Sequence, residues 1–136
     1  MPTLTLKIAA PHNQERDQAL ATALTAITAT TLGKRADVTA VLIEDLPAAR
    51  WFIGARAAVR PTALLEISVT TGTNSAARKA AFVEAAFAEL ARQLAPGSAL
   101  EEASYVIVRE LPASDWGYAG RTQQARSEAA RTLGPA

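Results

Sequence analysis

Leu4, Leu6 and Ile8 alternate with Thr3, Thr5 and Lys7 at the start of the chain. A period of two, with the apolar set on one side, predicts a half-buried strand over Pro2–Ile8. The period then lengthens: Leu20, Leu24 and Ile27 recur at helical spacing through an alanine-rich stretch that closes at Leu32. Asn13 is placed to cap that helix, because its side chain can accept a bond from an amide that the first turn leaves without a partner. Gly33 is the expected stop. A second strand is predicted from Val38 to Glu44, after which Leu46-Pro47 turns the chain.

The pattern then repeats. A slide of 61 positions puts Leu4, Leu6 and Ile8 on Leu65, Ile67 and Val69, and Asn13 on Asn74. Val83, Phe87, Leu90 and Leu94 mark a second helix, closed by Pro96-Gly97. A slide of 65 takes Val41-Leu42-Ile43 to Val106-Ile107-Val108, Leu46-Pro47 to Leu111-Pro112, and Trp51 to Trp116. Two tandem βαβ repeats, 2–60 and 61–136, in a single domain spanning 1–136 account for this self-similarity. Strands joined through a helix run parallel with a right-handed crossover. The expected fold is therefore α/β: a four-stranded sheet with two helices on one face, a two-layer sandwich. The other face would carry Leu42, Leu64 and Ile107 among Thr5, Lys7, Glu44, Glu66 and Arg109. Leaving large apolar groups in water is unfavourable by about 25 cal/mol per Å², so self-association over that face is expected.

Composition narrows the function classes. The 14 basic and 13 acidic side chains nearly cancel and are interspersed, which argues against a nucleic-acid partner. There is no cysteine, hence no disulfide and no thiolate metal site, and His12 is the sole histidine. That excludes an ordinary zinc site and any Ser-His-Asp triad that does not use His12. No apolar run approaches the ~18 residues of a membrane span, so the expectation is no membrane association and a cytoplasmic location. No residue pattern calls for a metal or an organic cofactor.

Pro2 carries the most specific chemistry. Removal of Met1, favoured by a small second residue, would leave a secondary amine at the head of a strand. An α-amino group titrates at about 7.7–8.0, and burial or a nearby cation lowers that toward neutrality. Such a group can take and return a proton at physiological pH without a histidine. The plainer alternative is an ordinary translation-start residue.

With Pro2, the two βαβ patterns and the aromatic-glycine stretches Trp51-Phe52-Ile53-Gly54 and Trp116-Gly117-Tyr118-Ala119-Gly120, the chain resembles the tautomerase superfamily. The likeness runs from Pro2 to about Gln124 and is to its double-unit members. It implies a cofactor-independent keto–enol tautomerase, an isomerase, acting on a small 2-oxo or 2-hydroxydienoic acid as a homotrimer. Pro2 would be the catalytic base and acid, and Lys34, Val69, Tyr105 and Trp116 would bind substrate. Three of these have a bland alternative: Lys34 as a solvated charge at a helix end, Tyr105 as a strand former, Trp116 as a packing anchor. The stretch Thr70-Thr71-Gly72-Thr73-Asn74 lacks the paired arginines of the family's dehalogenases and decarboxylases, which disfavours hydratase, dehalogenase and decarboxylase activities. His12 falls roughly where the oxalocrotonate enzymes have a substrate-binding arginine, and a neutral imidazole is a poor replacement for a fixed cation. A non-enzymatic trimeric scaffold of the same fold is the competing reading.

Overall fold

The structure, a computed structural model, describes residues 2–132. The chain order is β1 (Thr3–Ala9), α1 (Gln14–Leu32), β2 (Ala40–Asp45), then a short hairpin of β3 (Phe52–Ile53) and β4 (Arg56–Ala57). The same series recurs as β5 (Thr62–Thr70), α2 (Ala76–Leu94), β6 (Tyr105–Leu111), and a hairpin of β7 (Gly117–Tyr118) and β8 (Arg121–Thr122). A last helix, α3 (Gln123–Thr132), follows. The main sheet has the order β2-β1-β5-β6. β1 with β2 and β5 with β6 are parallel, and β1 lies antiparallel to β5 at the centre.

The alternation of β1 does what it predicted. Leu4, Leu6 and Ile8 are fully buried, as are Leu65 and Ile67 from β5. Both long helices cover that face with residues four apart: Leu20, Leu24, Thr28 and Leu32 from α1, Phe82, Ala86, Leu90 and Leu94 from α2. That spacing keeps one side chain per turn on the sheet. Thr28 is tolerated in this core because its hydroxyl donates to the Leu24 carbonyl at 2.7 Å. On the opposite sheet face Leu42 is 57% exposed and Ile107 36%, in one row with Thr5 and Glu66.

Three local expectations change. Residues Ala36–Val38 form a 3-10 turn, so the second strand starts at Ala40 rather than Val38. The core residue at this turn of α2 is Phe82; Val83, one position round the helix, is exposed. Asn13 caps α1 by accepting from the Arg16 amide at 3.0 Å, but its counterpart in sequence, Asn74, does not cap α2. Ser75 does so, accepting from Arg78. Asn74 instead donates to the Leu32 carbonyl at 2.9 Å, satisfying the end of the other helix.

Candidate active site

The antiparallel centre gives the sheet two unlike ends. The head of β1 and the tails of β5 and β6 meet at one; the tail of β1, the tail of β2 and the heads of β5 and β6 meet at the other.

Pro2 stands at the first end. It is buried, and its carbonyl accepts from the Ala40 amide at 3.3 Å, which ties it to the head of β2. One step beyond the Thr3–Ser68 pair places it beside Val69, whose side chain is in the core at 1% exposure. Helix α1 runs back along the sheet and delivers Gly33 and Lys34 to this end, while α2 begins here. Gly33 adopts φ 67, and a Cβ on it would come 3.3 Å from the Arg78 guanidinium, so both strain and crowding hold this position to glycine.

Lys34 Nζ donates to Thr73 Oγ1 at 2.9 Å, and that hydroxyl donates on to the Thr70 carbonyl. Burial of its ammonium lowers the Lys34 pKa from the ordinary value, and the Arg78 charge lowers it further. The N-terminus of α2 adds a positive dipole end at the same place. Glu110, by contrast, accepts from Lys79 and from the Gly72 amide, and the Lys79 bond, then the Gly72 bond, hold its carboxyl below the usual range.

Trp116 reaches the first end because its hairpin follows β6. It is half-buried, with its indole Nε1 buried and without a partner. Beside it α3 supplies two features that the sequence did not flag. The Arg126 guanidinium lies 3.7 Å above the centre of the Tyr118 ring and donates to the Tyr118 carbonyl at 3.0 Å. Arg35, Thr70, Thr73, Tyr118 and Arg126 line a cavity of about 320 Å³.

Tyr105 is elsewhere. It opens β6 opposite Leu64, which in turn faces Lys7. Pro2 and Lys7 are five residue steps apart along β1, on the order of 16 Å at 3.3 Å per residue. Within one protomer Tyr105 therefore does not meet Pro2, Lys34 or Val69. His12 is also at that second end, exposed, with Nδ1 2.7 Å from Asp45 Oδ2. Pro2 lines none of the cavities of about 520, 390, 320 and 260 Å³ described for the protomer.

No protein-family model matches the sequence, and no curated protein matches it. Solved structures do. A native fused 4-OT aligns with a TM-score of 0.76 at 26% identity, covering 92% of this chain and 98% of that one. A wild-type fused 4-OT asymmetric trimer gives 0.76 at 25% identity, covering 91% and 98%. The chain carries the tautomerase-superfamily fold. A member of the cis-3-chloroacrylic acid dehalogenase family shares the tautomerase fold at a TM-score of 0.76, with 20% identity over 96% of this chain and 94% of that one. In that fold the present chain is of the double-unit kind, with both βαβ series in one polypeptide.

Proposed function

We propose that this chain is a cofactor-independent keto–enol tautomerase for a small 2-oxo or 2-hydroxydienoic acid, with the Pro2 amine, freed by loss of Met1, as proton carrier. Met1 itself lies outside the described residues. The observation that carries this reading is the meeting of Pro2, Lys34 and the start of α2 at one end of the sheet. Burial and positive surroundings favour a neutral amine, which is the form that can remove a proton from carbon.

The proton balance is simple. The neutral nitrogen takes the proton from the carbon next to the carbonyl, and the electron pair moves to oxygen as an enolate. The Lys34 ammonium faces the developing charge, where a positioned donor is worth more than against the uncharged ketone. The Pro2 ammonium then returns the proton at oxygen, and reversal gives the ketone. The stretch from Thr70 to Asn74 has no cation for the substrate carboxylate, so Arg126, on the adjoining cavity, takes that role; Arg35 lines the same cavity but its guanidinium is already bonded to Asp37. An Arg fork suits a carboxylate geometrically.

A homotrimer completes the reading. It is supported by the trimeric fused 4-OT neighbour and by the sheet face that leaves Leu42 and Ile107 exposed. Pro2→Ala keeps a primary amine but loses the ring, and turnover should fall by about 10²–10⁴-fold, the usual worth of a positioned acid–base group. Full turnover by Pro2→Ala and by amino-terminally blocked protein would refute the reading. A non-enzymatic trimeric scaffold of the same fold is the alternative reading. That alternative is supported if phenylpyruvate and 2-hydroxymuconate are both left unchanged by the native protein.

A further inference from the structure

Lys34, the cation on which the proposed reaction relies, makes no ion pair among the described residues. Its ammonium is held by a neutral hydroxyl, Thr73 Oγ1, at 2.9 Å. That hydroxyl belongs to the turn by which the chain leaves β5 for α2. Thr73 is bound twice to Thr70, its amide donating to the Thr70 carbonyl at 3.3 Å and its hydroxyl at 2.7 Å. Gly72 bends the turn at φ 79, a conformation that other residues rarely adopt. Asn74, the next residue, donates to the Leu32 carbonyl at 2.9 Å. Thr73 and Asn74 thus grip the Lys34 segment at the tip of its side chain and at the main chain two residues before it.

One carboxylate anchors this turn. Glu110, near the end of β6, accepts from the Gly72 amide at 2.9 Å with one oxygen and from Lys79, in the first turn of α2, with the other. A bond from an amide to an ionised acceptor is roughly twice as strong as one between neutral groups. Along β6, Glu110 follows Val106 and Val108 on the alternate positions that pack toward the core. It therefore lies on the helix side of the sheet, away from the face of Leu42 and Ile107 that a trimer would cover. Lys79 and Gly72 occupy both of its oxygens, which leaves the Lys34 ammonium without a carboxylate neutralising it.

We infer that Glu110 is a positioning residue: through the Gly72 amide it fixes the turn from Thr70 to Asn74, and the turn fixes the Lys34 ammonium. Lysine has a flexible four-carbon stem, and a donor works against developing charge only when it is already in place. The part of Glu110 in turnover rests on the catalytic role proposed for Lys34; its hold on Lys34 does not.

The test reads Lys34 by NMR and turnover with phenylpyruvate, both on the full chain. In native protein the Gly72 amide proton should shift as Glu110 titrates, at a midpoint below the ordinary 4.5. The two Lys34 Hε protons should give separate signals, the mark of a held side chain. In Glu110→Ala the Gly72 step should vanish and the Hε signals merge, with kcat lower by about ten- to a hundredfold and KM changed less. Glu110→Gln keeps an oxygen for the Gly72 amide and should retain separate Hε signals and most of the turnover. Thr73→Val cuts only the last link, so the Hε signals should merge while the Gly72 step stays. A native Gly72 amide that does not titrate, separate Hε signals in Glu110→Ala or Thr73→Val, or merged signals in Glu110→Gln would each overturn the inference. Merged signals with unchanged kcat would support the hold on Lys34 and overturn instead its catalytic role. Should Glu110→Ala fail to fold, the native Gly72 titration and Thr73→Val decide.

Discussion

Replacing Lys34 with methionine separates the charge of its ammonium from the space its chain fills. Lys34 is partly buried, bonded to Thr73, and titrates below the ordinary 10.5 because of burial first and Arg78 second. Between the folded value and 10.5 the unfolded chain holds a proton that the folded chain has released. Stability of the native protein therefore rises with pH through that window. The slope is bounded by a single proton, about 1.4 kcal/mol per pH unit. At lower pH the native protein carries a constant desolvation handicap, offset by the Thr73 hydrogen bond at about 0.5–1.5 kcal/mol. Lys34→Met has neither term. The stability difference, native minus variant, should be flat near neutrality and increase as pH climbs toward the lysine range, read by urea unfolding at matched pH steps. Turnover should fall by about 10²–10³-fold, the loss expected for one donor to a developing oxyanion. A stability difference independent of pH over the whole range would refute the burial argument, and unchanged kcat would refute the role given to the ammonium.

Other consequences are quicker to check. Phe82→Ala empties a fully buried position under the sheet and should lower stability by about 3–5 kcal/mol in denaturant unfolding; a loss below ~1 kcal/mol would mean the core is elsewhere. Ala119 sits at φ 52 in the β7–β8 turn, so Ala119→Gly should raise stability, by up to about 1 kcal/mol, where an ordinary helix or strand position would lose on the same change. Arg126→Ala should raise KM for a 2-oxo acid by about tenfold or more while kcat changes less, since it removes a carboxylate contact made before and during the reaction; equal KM values would remove Arg126 from the site.

Much of the fold is legible in the residues because each feature is local. The alternation around Leu4 and Leu6, the Asn13 cap and the Gly33 stop need only neighbours along the chain. The likeness of the two units follows from the same local patterns. Two misplacements have local causes as well. Phe82 and Val83 are adjacent apolar residues near the start of α2, and periodicity alone does not say which one points inward. Val38 is strand-compatible by type, but it closes the 3-10 turn Ala36–Val38 that follows the return from Gly33.

The site was harder to read for a different reason. That β1 and β5 pair antiparallel at the sheet centre is a long-range fact, and it sends Tyr105 to the end away from Pro2; His12 is there because it follows the tail of β1. No strand announces its partner in its own pattern. Arg126 carries no signal of its own in the sequence; the four-residue step from Thr122 to Arg126 becomes meaningful only once Arg126 of α3 is seen to stack on Tyr118.

The central claim concerns one nitrogen. Nitrogen-15 NMR of proline-labelled native protein, titrated across neutral pH, reads the Pro2 amine directly. The account predicts an amine resonance whose midpoint lies below that of a free peptide with the same first residues. A midpoint at or above the peptide's, or an amide resonance that does not titrate because Met1 is still attached, would contradict it.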